Sequence, residues 1–227
     1  MEIPQPLTSI ITPASISEAI ALQKQLSPQV ITEDQFPQPI RYVAGVDVGF
    51  QDNYRLTKAA VAVLTFPELE KVEDAIAQSP TSFSYIPGLL SFREVPTIIQ
   101  ALEKLNTCPD LILCDGQGIA HPRRLGLASH LGVLTNQPTI GVAKSRLIGS
   151  HRDLPPEKGA WQRLWDHEEL IGAVLRSRTN VNPLYISPGH RISLRSAIDL
   201  TLACTSKYRL PETTRWADKL ASSGNNS

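Results

Sequence analysis

The chain predicts an α/β fold: one domain with a mixed central β-sheet flanked by helices. Three observations carry that expectation. Short apolar runs of strand length recur along the chain, and the first two lie close enough to pair as a hairpin. From about residue 97 onward, strand-like runs alternate with helical patterns, which is how parallel strands joined by crossover helices read. No repeat and no linker divides the 227 residues, a length that fits one large domain.

In chain order, residues 1–14 read as an arm, and Ser15 or Ser17 can cap a helix over about Glu18–Leu26. Tyr42–Val48 is a strand; Leu56–Phe66 is a second, turning back across Gln51-Asp52-Asn53. A third strand is expected at Thr81–Ile86, stopped by Pro87-Gly88. Thr97–Leu105 has helical periodicity, with Ile98, Ala101, Leu102 and Leu105 on one face. Then come a strand at Leu111–Cys114, a helix at about Leu125–Leu131, and a strand at Thr139–Ala143. Further strands are expected at Ile171–Leu175 and Leu184–Ile186, and a last helix at Leu194–Ala203 behind the cap Ser193. The domain is expected to span residues 15–221, with a disordered tail at 222–227.

With 41% hydrophobic and 19% charged residues the chain can bury a sizeable core. Twenty-two basic residues balance 22 acidic ones, so no global positive field draws nucleic acid, although local clusters such as His121-Pro122-Arg123-Arg124 remain. Three cysteines without zinc spacing make a poor disulfide framework. No run approaches membrane-spanning length, and the expectation is a reduced, cytoplasmic protein.

The candidate chemistry centres on Pro109–His130. An apolar strand ends in Asp115, Gly116-Gln117-Gly118 allows close backbone approach, and imidazole and guanidinium groups follow. Asp47 sits near the end of another apolar strand, and a carboxylate buried there needs a partner or a metal. If the two strands are neighbours, Asp47 and Asp115 can share a Mg²⁺; the plainer reading is that each starts a turn. Glu94 is either a third metal carboxylate or the end of a Ser91-x-x-Glu94 capping box, which Pro96 weakens. Tyr85-Ile86-Pro87-Gly88 is either a wedge for a base stack or a strand end tucked into the core. Lys144, just after a short strand, can contact phosphate as a point charge or lie in solvent. Asp218 stands in a polar C-terminal stretch that is locally unremarkable. The third fingerprint glycine is missing after Gly118, which disfavours a dinucleotide site, and neither a zincin helix, a Walker loop nor a nucleophile elbow is present.

Taken together, Val46-Asp47-Val48, Tyr85–Gly88 with Phe92-Arg93-Glu94, Asp115–Gly118 through Arg123–Gly126, Gly141–Lys144 and Leu210–Arg215 resemble endonuclease V. The resemblance covers about residues 15–221 and implies a ribonuclease H-like fold and Mg²⁺, with Mn²⁺ able to substitute. It implies that Asp47, Asp115 and Glu94 are metal ligands and that Asp218 is a fourth polar position, His in some relatives. Lys144 and His121 match residues near the scissile phosphate, and Tyr85 matches a wedge. Ile86, Pro87, Gly88, Gly116, Arg123 and Gly126 fall in the matching DNA-contact stretches. The departure is Thr213, where relatives usually carry Pro, a change expected to alter turn stiffness.

The implied activity is repair: recognition of deoxyinosine, hydrolysis of the second phosphodiester bond 3′ of the lesion, and 3′-hydroxyl and 5′-phosphate ends. The implied partner is damaged DNA, bound by a monomer, with no membrane. The alternative on the same site is an inosine-specific endoribonuclease acting on RNA. A non-catalytic nucleic-acid module is disfavoured by the three intact acids, and a small-molecule phosphohydrolase would not need the wedge.

Overall fold

The computed structural model describes residues 12–223. Their elements run α1 (Ile16–Leu26), β1 (Tyr42–Gln51), β2 (Leu56–Thr65), β3 (Lys71–Pro80), α2 (Ser91–Leu102), β4 (Leu111–Cys114), α3 (Leu127–Thr135), β5 (Thr139–Ala143), β6 (Trp161–Asp166), β7 (Glu169–Leu175), β8 (Leu184–His190), α4 (Leu194–Ala203) and α5 (Glu212–Ser222). The strands form one eight-stranded sheet in the order β3-β2-β1-β4-β5-β8-β7-β6. β1, β4 and β5 are mutually parallel, and every other pairing is antiparallel. This is the mixed α/β sheet the alternation predicted. No helix among the described residues is long and apolar enough to cross a membrane.

Helices cover both faces. On one, Val46, Val61 and Val63 pack with Val95, Ile98 and Leu102 of α2 and with Ala128 and Leu131 of α3. On the other, Val43, Ala62, Ile140 and Ile186 pack with Ala197 and Ile198 of α4, and with Trp216 and Leu220 of α5 at the margin. Alternation along β1 therefore sends Val43, Gly45 and Asp47 to the α5 layer and Ala44 and Val46 to the α2 layer.

Several expectations need correction. The third strand is Lys71–Pro80, and Thr81–Ile86 is loop. β3 is an edge strand with only Ala75 and Ala77 buried, so its alternation was written in small and charged residues that look like loop. α2 begins at Ser91, six residues before the expected start, and runs through Pro96. The internal proline costs about 3 kcal/mol, and burial of Phe92, Val95 and Ile98 at roughly 2 kcal/mol each offsets it. Proline also strips Phe92 of its helical donor, and the Ser82 hydroxyl donates to that carbonyl at 3.1 Å instead. Ser91 is the first helical residue, so there is no Ser91–Glu94 capping box: Leu90 occupies the cap without a side-chain hydrogen bond. The helix after the glycines runs Leu127–Thr135, β7 starts at Glu169 and β8 reaches His190. β6 and α5 had no counterpart in the sequence reading. Ser222 ends α5, while the rest of the expected tail from residue 224, and the arm through residue 11, lie outside the described residues.

α5 is placed by glycine. A Cβ on Gly45 would stand 2.2 Å from the Thr213 carbonyl carbon, so only a residue without a side chain lets the helix lie against β1. Thr213 thus stands in the first turn of a helix rather than in a free turn, and its buried hydroxyl has no hydrogen-bond partner.

Candidate active site

The parallel register of β1 with β4 ends at Val46 opposite Cys114, and the next residue on each strand is an aspartate, Asp47 and Asp115. The Asp115 amide still donates to the Val46 carbonyl at 3.3 Å, which keeps the two acids side by side. β1 itself runs on to Gln51, because its antiparallel partner β2 continues. Asp47 therefore marks where the parallel pairing stops rather than where the strand ends. Carboxyl ends of parallel strands are where open α/β sheets bind ligands.

Glu94 enters from the first turn of α2, and Asp218 from α5. All four acids line one cavity of about 600 Å³, together with Tyr85, Pro87, Gly88, Gly116, Gln117, His121, Gly126, Lys144 and Leu147. Ile86 does not: its side chain packs inward with Leu89 and Phe92. Arg123 does not line the cavity either, and instead ties its rim.

The floor of the cavity carries crowded negative charge. Burial pushes Asp47 up to about 7, and the neighbouring Asp115 pushes in the same direction. Burial likewise raises Glu94 to about 8, with Asp47 and Asp115 adding to the rise. Lys144 holds its Nζ 2.5 Å from Asp115 Oδ2. Burial works against the Lys144 charge, but its hydrogen bond to Asp115 and the charges of Asp115, Asp47 and Asp218 outweigh that and raise it. Arg209 anchors the segment behind this lysine, donating to the carbonyls of Lys144 (2.7 Å), Pro183 (2.8 Å) and Asn182 (2.9 Å).

These donors suit a hard divalent cation: carboxylate oxygens, no thiolate, and two acids held toward protonation by burial first and by neighbouring carboxylates second. Among the described residues no three His, Cys, Asp or Glu side chains already close into a ligand group, so the acids share a cavity and not a finished cage.

The rim is built differently. Gly88, at φ +78°, turns its carbonyl to three donors: Arg123 Nη2 at 2.7 Å, Gln23 Nε2 at 3.0 Å and His121 Nε2 at 3.1 Å. The Arg123 amide donates to His121 Nδ1 at 3.2 Å, which assigns the remaining proton of that ring to Nε2. Burial, then the Arg123 charge, hold His121 down to about 4. Gln23 also donates to the Leu125 carbonyl at 3.3 Å and accepts from Arg123 Nε. One glutamine from α1 thereby joins the Tyr85–Gly88 turn to the loop that precedes α3. Tyr85 stands out from this turn, 69% exposed, with the buried Arg93 guanidinium 5.8 Å from its ring and 4.5 Å from that of Phe50.

A model of the family described as Endonuclease V matches residues 24–219. An Endonuclease V of Rippkaea orientalis is 65% identical over 94% of this chain and 93% of its own length. The chain belongs to the endonuclease V family. It is accordingly a nuclease, a hydrolase of phosphodiester bonds that works with a divalent metal. The crystal structure of Endonuclease V from Streptomyces avermitilis superposes with a TM-score of 0.89 at 45% identity, covering 97% of this chain and 96% of that one. The Ciona intestinalis enzyme, crystallised with a 23mer DNA containing an inosine followed by a ribo-adenosine, gives 0.81 at 31% identity over 92% and 96%. These likenesses bear out the ribonuclease H-like expectation for the sheet.

Gln23, Arg209 and Gln117 were missed at the level of sequence. Gln23 had a signal: it shares a helical stripe with the buried Ala19 and Leu26, where an apolar residue is the rule. Gln117 donates to the Ser145 carbonyl at 3.0 Å, while its buried Oε1 has no partner. Nothing local marks Arg209, whose carbonyl partners come from two segments distant from it in the chain.

Proposed function

We propose that this endonuclease V is a DNA-repair enzyme that recognises deoxyinosine and hydrolyses the second phosphodiester bond on its 3′ side, leaving 3′-hydroxyl and 5′-phosphate ends. The observation that carries this reading is one cavity that joins a carboxylate floor to a rim with a projecting tyrosine. The Ciona relative, crystallised on inosine-containing DNA, supports the substrate. We take residues 15–221 as one catalytic domain, acting as a monomer in the cytoplasm; its three cysteines are unpaired, as a reducing compartment requires.

Asp47, Glu94 and Asp115 would hold the divalent cation, which we take to be Mg²⁺ with Mn²⁺ as a substitute. Bound there, it would activate water and neutralise charge as the phosphoryl group is attacked in line. Asp218, facing Asp47 from α5, completes the acidic wall, and Lys144 offers an ammonium donor to a non-bridging phosphate oxygen. Tyr85, with Pro87 stiffening its turn and Ile86 anchoring it in the core, fills the stack when the lesion nucleotide turns out. Gly88, Gly116 and Gly126 line the wall against which the purine would lie, and neutral His121 and Arg123 hold that wall in place.

The test is a labelled duplex carrying one deoxyinosine, incubated with and without Mg²⁺ beside an Asp115→Ala variant. A nick at the second linkage 3′ of the lesion, requiring metal, absent in the variant and absent from undamaged duplex, is the expected result. Cutting without preference for the lesion sinks the reading. The DNA of the Ciona complex contains a ribo-adenosine after the inosine, so an inosine-containing RNA belongs in the same assay. Faster cleavage of that RNA would make the endoribonuclease the better reading.

A further inference from the structure

A second groove, of about 590 Å³, runs between the Tyr208–Leu210 segment and α5. It shares Lys144 and Asp218 with the active-site cavity, so the two are continuous across the acidic floor. Several arginines elsewhere meet acids: Arg195 with Asp199, Arg55 with Asp52, Arg124 with Asp166 and Glu169. At the groove, Arg215 and Lys219 of its lining and Lys207 beside it lie on aromatic rings. Lys219 Nζ is 5.2 Å from the centre of Trp216, Lys207 Nζ is 5.5 Å from that of Tyr208, and the Arg215 guanidinium is 3.4 Å from the same ring.

An aromatic face attracts a cation through its quadrupole without neutralising it. Arg215 also has Glu212, at 2.5 Å, but Lys207 and Lys219 make no ion pair among the described residues. The rings leave the N–H donors of these exposed lysines free. In a chain whose basic and acidic residues cancel, such unneutralised charge beside an acidic centre is a local feature. Repeated phosphates are the chemistry that complements it.

We propose that this groove binds the DNA strand on the 3′ side of the cut, with Lys207 and Lys219 contacting its phosphates. The direction rests on the function proposed above: the lesion lies at the Tyr85, Gly88 and His121 end, the scissile phosphate at the floor, and the strand leaves past Asp218. Arg209 forms the groove wall, with its Nε and Nη2 donors taken up by three carbonyls.

The experiment compares the full chain with Lys207→Gln/Lys219→Gln on deoxyinosine duplexes trimmed stepwise from either end. For the unaltered chain, removing the 3′ flank raises KM about tenfold, whereas trimming the 5′ flank leaves the two proteins differing by a constant factor. The double variant shows the raised KM on the full-length duplex, does not respond further to 3′ trimming, and keeps its kcat and Tm. In metal-free binding, the slope of log K against log salt falls by about two. Replacing both lysines with arginine restores KM and slope. A double variant with unaltered KM, flank dependence and slope overturns the proposal. Should the unaltered chain bind DNA without nicking the deoxyinosine duplex, the substrate reading falls, and the groove stands or falls on the salt slope alone. A chain that binds no DNA overturns both.

Discussion

The floor and the rim of the active-site cavity are both taken out of water, yet they meet that cost in opposite ways. On the floor, Asp47 and Glu94 are buried and crowded with Asp115, and the charges that answer them, Lys144 for Asp47 and Arg93 for Glu94, do not outweigh the drive toward protonation. On the rim, Gln23, His121 and Arg123 spend their donors on a single carbonyl, and the imidazole stays neutral. The floor is left short of positive charge, which is what a cation site needs. The rim is left satisfied, which is what a fixed template needs. Function and stability therefore pull against each other on the floor and run together on the rim.

The largest effect expected from this contrast is at the floor. Asp115→Ala and Asp47→Ala should each lower the nicking rate at least about a thousandfold. Glu94→Gln should do the same while raising the metal-free Tm by at least about 2 °C, because a buried, repelled carboxylate is removed. A fall in Tm for Glu94→Gln would break the account of a strained floor.

The rim should behave in reverse. Gln23→Leu leaves the Gly88 carbonyl and Arg123 less well held. It should cost about tenfold in kcat/KM on the deoxyinosine duplex and lower Tm by a few degrees. Faster hydrogen exchange is expected over residues 83–90, with α2 unchanged. Unchanged exchange in that turn would show that Gln23 does not hold it.

The two regions also titrate oppositely. Glu94 keeps its proton in the folded chain up to about 8 but loses it near 4.5 when unfolded, so metal-free stability falls as pH rises through that window. Asp47, about 7 against an ordinary 3.8, has the same sign. His121, about 4 when folded and 6.5 when unfolded, takes a proton only on unfolding, so stability falls as pH drops between those values. His130, buried behind the rim and held at about 3, and His190, at about 4, add to that acid limb. Metal-free melting should therefore peak near pH 6, and Mg²⁺ should remove the decline above it while leaving the acid limb in place. A Mg²⁺ effect on Tm that is equal at pH 5 and pH 8 would contradict this.

The smallest expected effect lies beneath the floor. Thr213 buries a hydroxyl without a partner against Gly45, two residues before Asp47. Thr213→Val removes that unmet group and should raise Tm by about 2–4 °C, with nicking unchanged.

Much of the floor was legible in the chain. Apolar strands at Val43–Val46 and Leu111–Cys114, each followed by an acid, are local patterns; their parallel pairing, only a condition in the sequence, is set by the register of β1 with β4. The glycines and His121 were legible as a place of close approach. The rim was not, because its geometry comes from side chains that meet backbone far away: Gln23 lies 65 residues from Gly88, and Arg209 lies 65 from Lys144. Such bonds have no period and no spacing to read. α5 escaped for a related reason. Its polar sequence hides an apolar face, and what fastens it is the missing side chain of Gly45 in another element.

By itself, then, the sequence determined the α/β class, the two apolar strands that each carry an acid, and the glycine loop that follows the second of them. These depend on local periodicity, burial and turn chemistry, which act between near neighbours in the chain. Only the tertiary structure decided that Asp218 faces Asp47, that Gln23 ties the rim and that unneutralised cations flank the exit from the floor. Each of these requires segments distant in the chain to be brought within hydrogen-bonding or Coulombic range, and that distance is set by packing across the sheet.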